Sequence, residues 1–287
     1  MNTDYSYTGL VFPDRRPLLR NVEQMPRFDA GETGLVLGNA WWLASLCQLA
    51  YCREDVIAAL LPRVGLQLVA TFNGASTQGF LARGDGFAFL VFRGTEFMVW
   101  LDLWTDGQFE LTPMALQPEV HSGFRAALNE VWPAVTQALD ALAAEGLPVW
   151  YTGYSLGAAL ATLAAARRAP MSLVTFGSPR PGNLDFMHQL DGLPVYRFVN
   201  CCDVVTGTPP TALGYWHVGE QVFLTAQGHV LRDPEPWHVA RRQVLGQLLY
   251  QARLPWLHPG MVKSRGLADH AILNYIAALE YAVLAAR

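Results

Sequence analysis

The sequence has 287 residues, of which 52% are hydrophobic, 11% aromatic and 15% charged. That balance excludes intrinsic disorder and a solvated coiled coil, and a chain of this length buries roughly three quarters of its unfolded surface in one core. The formal net charge of −4, with no Lys/Arg-rich run, argues against a nucleic-acid partner.

The segment from Met1 to Arg20 lacks the basic start and apolar stretch of a secretory signal. The expectation is a cytoplasmic protein, or one exported by a signal-independent route. Residues 1–34, rich in Pro and Arg, are expected as an N-terminal surface extension of a single domain covering 1–287. Two uncharged segments, Thr33 to Cys52 and Gly146 to Ala166, have the length of a membrane span. Asn39, Ser45 and Gln48 in the first, and Pro148, Gly153, Ser155 and Gly157 in the second, favour buried core elements, so no transmembrane segment is expected. Cys47, Cys52, Cys201 and Cys202 lack the spacing of a zinc site or a disulfide framework.

Trp42, Leu43, Leu46 and Leu49 recur at helical spacing and predict an amphipathic helix from Asn39 to Tyr51. Gln67 to Phe72 and Phe80 to Arg83 read as strands. A Gly84-Asp85-Gly86 turn follows, then the apolar run Phe87 to Phe92 of a buried strand. Ser122 to Ala144 has long apolar periodicity, ended by Gly146, with a kink or break predicted at Pro133. Three strands then each enter a helix or loop: Val149 to Thr152, Leu173 to Phe176 and Val195 to Val199. This alternation predicts an α/β fold with a mostly parallel central sheet and helices on both faces. A hairpin is predicted from Val218 to Leu231, turning near Gln227-Gly228, followed by helices at Val239 to Tyr250 and Asp269 to Ala286.

Gly153-Tyr154-Ser155-Leu156-Gly157 fits G-x-S-x-G between a predicted strand and a predicted helix. A serine on that tight turn faces out, and the helix start behind it favours negative charge. The N–H of Leu156 then points at a developing oxyanion. The same pattern occurs as a plain small-residue turn, so a base and an acid are needed elsewhere. Asp203, just past a parallel strand, sits at the ligand-binding edge of such a sheet; Asp185 and Asp191 are rivals on loops. In the chain order Ser, Asp, His, the bases left are His217, His229, His238, His258 and His270.

In order along the chain stand Phe92-Arg93-Gly94-Thr95, His121-Ser122-Gly123-Phe124, Gly153 to Gly157, Phe176 to Asn183, Arg197-Phe198-Val199-Asn200, Asp203-Val204-Val205 and Tyr215 to Gly219. Over about residues 35 to 285 this series resembles the class 3 lipases, as a bacterial-type member. The resemblance implies the α/β-hydrolase fold and a serine ester hydrolase acting on lipid esters without cofactor or metal. It implies Ser155, Asp203 and His270 as the triad and Thr95 with Leu156 as the oxyanion hole. His258 and then His238 stand behind His270, and His217 falls in a structural block. Phe97, Trp100 and Tyr154 are expected substrate contacts, with Tyr154 standing where the family commonly has histidine. Glu96 to Leu116 occupies the place of the family's lid, with Asp102 near a brace for the oxyanion residue, although ordinary core reads equally well. Trp237 to Met261 is a second apolar candidate for a lipid interface. The alternatives are a phospholipase A1 or galactolipid acyl hydrolase and, in another class, a catalytically silent lipid- or partner-binding protein.

Overall fold

The computed structural model describes residues 3–94, 111–113, 118–256 and 258–287. The predicted apolar runs pair into one sheet: β1 (Gln67–Asn73), β2 (Gln78–Arg83), β3 (Ala88–Phe92), then β6 (Val149–Tyr154), β7 (Ser172–Phe176), β8 (Val195–Asn200), β9 (Glu220–Leu224) and β10 (Val230–Arg232). Their spatial order is β1-β2-β3-β6-β7-β8-β9-β10. Two short strands, β4 (Leu111–Pro113) and β5 (Glu119–His121), form a separate antiparallel ribbon. Strands β3, β6, β7, β8 and β9 run parallel to one another, with antiparallel partners at both edges. Every residue of β3 and of β7 is buried. Strands covered on both faces are mostly apolar, which is why β3 reads as a continuous apolar run, while β7 buries Ser172 and Thr175 among its apolar residues.

The helices are α1 (Tyr7–Val11), α2 (Leu37–Leu49), α3 (Glu54–Leu60), α4 (Ser122–Ala144), α5 (Leu156–Arg167), α6 (Leu184–His188), α7 (Pro236–Arg253), α8 (Arg265–His270) and α9 (Ile272–Ala285). One face of the sheet, with Phe89, Val91, Trp150, Val174 and Phe198, packs against α2 and α9. The other, with Leu81, Leu90, Tyr151 and Leu173, packs against α4 and α5. Together these are an α/β-hydrolase architecture, as predicted.

Three local predictions need correction. Helix α2 is not amphipathic, because Gly38 through Leu49 are all buried where it is enclosed between sheet and α9. Helix α4 runs through Pro133 without the break that was one of the two expectations there. The proline is exposed, and so is Asn129, the residue whose carbonyl it leaves without an N–H partner. The predicted terminal helix from Asp269 is two helices, α8 and α9, separated by Ala271 in an extended conformation (ψ 128°).

Residues near the N-terminus tie onto the C-terminal helices. Asn274 accepts from the Asp4 N–H at 2.6 Å and donates to the Asp4 carbonyl at 2.8 Å. Leu10 and Val11 pack with Val262, Ala268 and Ala271. Among the described residues no helix is long and apolar enough to cross a membrane.

Candidate active site

The C-terminal ends of β6, β7 and β8 bring three loops to one edge of the sheet. Ser155 lies between β6 and α5 with φ 58° and ψ −126°. A side chain in that conformation stores about 1–3 kcal/mol, and such strain persists where surrounding packing fixes it. Here the Ser155 N–H donates to the Phe176 carbonyl at 2.9 Å. The turn is so tight that a Cβ on Gly153 would run into the Gly157 backbone, and one on Gly157 into the carbonyl of Phe92. Ala158, Ala159, Ala161 and Ala164 keep α5 narrow enough to lie on the sheet. Leu156 is the first residue of that helix, so its N–H has no intrahelical partner.

Three side chains from distant stretches form one hydrogen-bonded line. The Ser155 hydroxyl stands 3.0 Å from His270 Nε2, and His270 Nδ1 stands 2.9 and 3.0 Å from the two oxygens of Asp203. The carboxylate accepts, so the imidazole proton is assigned to Nδ1, leaving Nε2 to accept from the serine. The three residues are 3%, 2% and 2% exposed for Ser155, Asp203 and His270. Gly177, at φ +58°, leaves space for the pair, since a Cβ there would come within 2.9 Å of Asp203 and 3.0 Å of the His270 ring.

Asp203 has further donors. The Val205 N–H reaches Oδ1 at 2.9 Å, and the Tyr275 hydroxyl donates to Oδ2 at 2.5 Å. Burial, then the nearby Asp203 charge, pushes the Tyr275 pKa well above its usual range, so the phenol keeps the proton it donates. The helix that delivers the base is fastened separately. Arg265 Nε donates to Asp269 Oδ2 at 2.7 Å, the Cys202 N–H reaches that oxygen at 3.2 Å, and Asn200 Nδ2 donates to the Asp269 carbonyl at 2.9 Å. Sequence reasoning gave Gly177, Asn200, Asp269 and Tyr275 no task in the site, and it passed over Arg265. The break at Ala271 places His270 at the end of α8, where the sequence reading had it opening a helix.

Of the rival residues, Asp185 lies in the first turn of α6 and Asp191 is 2.9 Å from His188. His229, His238 and His258 are exposed. His217 is packed as predicted, with Nε2 2.8 Å from the Thr206 carbonyl. Tyr154 is buried with its ring 4.9 Å from that of His270, beside the base. Thr95, Phe97, Trp100 and Asp102 lie outside the described residues, as does Glu96 to Leu116 apart from β4. Gly94, next to Thr95, is described and lies against Ser155, since a Cβ on it would come within 3.2 Å of the serine Cβ. Among the described residues, Cys201, Cys202 and Asp269 place possible metal-ligand atoms within 4.8 Å of one another. Arg265 already occupies the Asp269 carboxylate, so this group fits loop packing better than a metal.

Residues 89–213 match the family described as Lipase (class 3). A lipase of Rhizopus niveus is 30% identical over 209 residues, covering 63% of this chain and 52% of that protein. A chloroplastic phospholipase A(1) of Arabidopsis thaliana is 41% identical over 101 residues, covering 32% of this chain and 23% of that protein. A solved structure of a triacylglycerol lipase, whose catalytic centre is described as a serine protease triad, superposes with a TM-score of 0.61. It is 25% identical and covers 81% of this chain and 96% of that one. The chain spans about half the length of the first of these relatives. Other relatives come from fungi, plants and a nematode, so the bacterial type expected from sequence finds no support in them. Over residues 89–213 the chain is thus similar to the class 3 lipases, and fungal lipases are among its relatives in both sequence and structure.

Proposed function

We propose that this protein is a serine hydrolase of carboxylic esters acting on lipid substrates through an acyl-enzyme. The observation that carries the reading is the continuous line from Ser155 through His270 to Asp203, each link 2.9 to 3.0 Å. His270 takes the hydroxyl proton as the Ser155 oxygen attacks the ester carbonyl, and Asp203 stabilises the imidazolium that forms. The Leu156 N–H, with Thr95 in the role inferred from sequence, holds the tetrahedral oxyanion. His270 then protonates the departing alcohol, and water completes the cycle by attacking the acyl-serine. Tyr154 borders the base, its buried ring packed in the core cluster shared with α2 and α9.

The relatives include both lipases and phospholipases A1, and the triad serves either substrate. A fluorophosphonate probe is expected to label wild-type protein at Ser155, located by peptide mapping. A panel of emulsified triglyceride, phosphatidylcholine and soluble short-chain esters then ranks the head groups. Absence of labelling on folded protein would return the chain to the silent lipid-binding class.

Helix α7 supports contact with a lipid surface. Trp237, Val244, Leu245, Leu248 and Leu249 recur at i, i+7, i+8, i+11 and i+12 on the face opposite buried Gly246 and Tyr250, and all five are exposed. Trp256, just beyond the helix, is 86% exposed. Between Glu235 and Asp269 the sequence has no acidic residue but carries Arg241, Arg242, Arg253 and Lys263. An outward apolar stripe among cations suits an anionic lipid–water interface. Replacing both Trp237 and Leu248 by Ser is expected to lower activity on emulsified substrate about tenfold or more, since each buried apolar side chain contributes ~1.5–3 kcal/mol. Activity on a soluble ester should stay within about twofold, and an equal fall on both would remove the interfacial role.

A further inference from the structure

Behind the acid loop lies a second cavity of about 460 Å³, distinct from the serine side of the site. Arg180, Arg197 and His217 line it, together with Gln221 of β9 and Val239 and Gln243 of α7. Arg197 is the unusual member. It sits mid-strand in β8, between β7 and β9, where Val195 and Val199 share its face. The residue is 8% exposed, yet its guanidinium makes no hydrogen bond or ion pair with any described residue, and its Nε is buried without a partner.

A buried guanidinium with no anion in contact is costly, and the charge of Asp233, beyond ion-pair distance, offsets the effect of burial only in part. The surroundings make it worse. Arg180 lines the same cavity and is held through Nη1 by two neutral carbonyls, those of Gly207 and Pro209. The one carboxylate lining the space, Asp203, already serves His270, Tyr275 and the Val205 N–H. Burial, and then Arg180, pushes the Arg197 pKa down to about 10. His217 lines the same cavity. Its Nε2 faces the Thr206 carbonyl and so carries the proton, which leaves Nδ1 an acceptor, buried and without a hydrogen-bond partner among the described residues.

We infer that this cavity is a binding site for a phosphate monoester or inorganic phosphate, held by Arg197 and Arg180 with His217 Nδ1 receiving its P–OH. A phosphate of this class offers both parts the site lacks, charged oxygens for a guanidinium fork and one hydroxyl donor for the imidazole. The cavity volume leaves room for more than the phosphate group, so the anion arrives either free or as the head group of a phosphatidic acid. The cavity borders the back of the Asp203 loop, but anion binding by Arg197, Arg180 and His217 does not depend on the assignment of ester hydrolysis.

The test is thermal unfolding and calorimetric titration of the whole protein with inorganic phosphate and, separately, with monomeric dihexanoyl phosphatidic acid. At a hundredfold excess over Kd the wild-type Tm is expected to rise by about 5 °C. Arg197→Met should unfold at a higher temperature than wild type in phosphate-free buffer and lose the ligand-induced rise, whereas Arg197→Lys keeps part of it. Response to inorganic phosphate identifies a free anion as sufficient, and response to the lipid alone identifies a head-group site. Failure of both probes to shift wild type, or an equal shift in Arg197→Met, overturns the inference. Should that variant not fold, histidine ring NMR of wild type decides: saturable movement of the His217 signal supports the site, and a static signal rejects it.

Discussion

Ser155→Ala, His270→Ala and the double variant are each expected to lower kcat on p-nitrophenyl butyrate by ~10⁶-fold, with circular dichroism unchanged. The Ser155 hydroxyl and His270 Nε2, 3.0 Å apart, act as one unit: an alcohol without its base is a poor nucleophile, and the base without the alcohol has no proton to take. Losing either therefore costs nearly as much as losing both. What remains comes from binding and from the oxyanion donors, about 10³–10⁴ above the reaction in water. Losses that multiplied in the double variant would mean that the two residues act in separate steps, and a fall of only tenfold for Ser155→Ala would assign the nucleophile elsewhere.

Asp203→Asn is expected to lower kcat by ~10⁴-fold, the scale on which an amide disables this kind of triad by selecting the wrong imidazole tautomer. The local donors sharpen the expectation. One carboxylate oxygen accepts from the Val205 N–H and the other from the Tyr275 hydroxyl, while both lie within 3.0 Å of His270 Nδ1. Whichever way an asparagine amide turns, its NH2 meets a donor. Either the Tyr275 bond or the Val205 bond is lost, and the imidazole no longer has a charged acceptor at Nδ1. Single-turnover kinetics would register the fall in the chemical step, and a variant within tenfold of wild type would show that His270 is oriented by something other than Asp203.

The strands were legible because their physics is local: a strand buried on both faces is mostly apolar, as β3 is throughout and β7 is apart from Ser172 and Thr175. The nucleophile turn was legible for a similar reason, since Gly153, Ser155 and Gly157 lie within five residues and each is required by the same backbone crossing. Asp203 and His270 lie 2.9 Å apart but 67 residues apart in sequence, so residue type and strand ends left rivals, and the order of motifs made the choice. Tyr275 became readable only with the break at Ala271, which sets the relation of α8 to α9. The burial of α2 was hidden because Ala44, Ser45 and Cys47 do not interrupt a pattern of one apolar face, yet they are small enough to pack on every side. Pro133 misled in the opposite direction, since a proline on the exposed side of a helix, with an exposed residue one turn before it, need not end that helix.

The pairing of Asp4 with Asn274 joins segments from opposite ends of the sequence, beside the helix that presents the imidazole. During synthesis, the sheet through β8 and the serine turn emerge well before residue 270 leaves the ribosome, and folding of the early elements does not wait for it. The nascent polypeptide therefore carries a serine without its proton acceptor until the later helices dock against segments made earlier. The hydrogen-bonded line from Ser155 to Asp203 is thus completed only when the C-terminal helices dock, and a partly assembled chain holds the serine without its base.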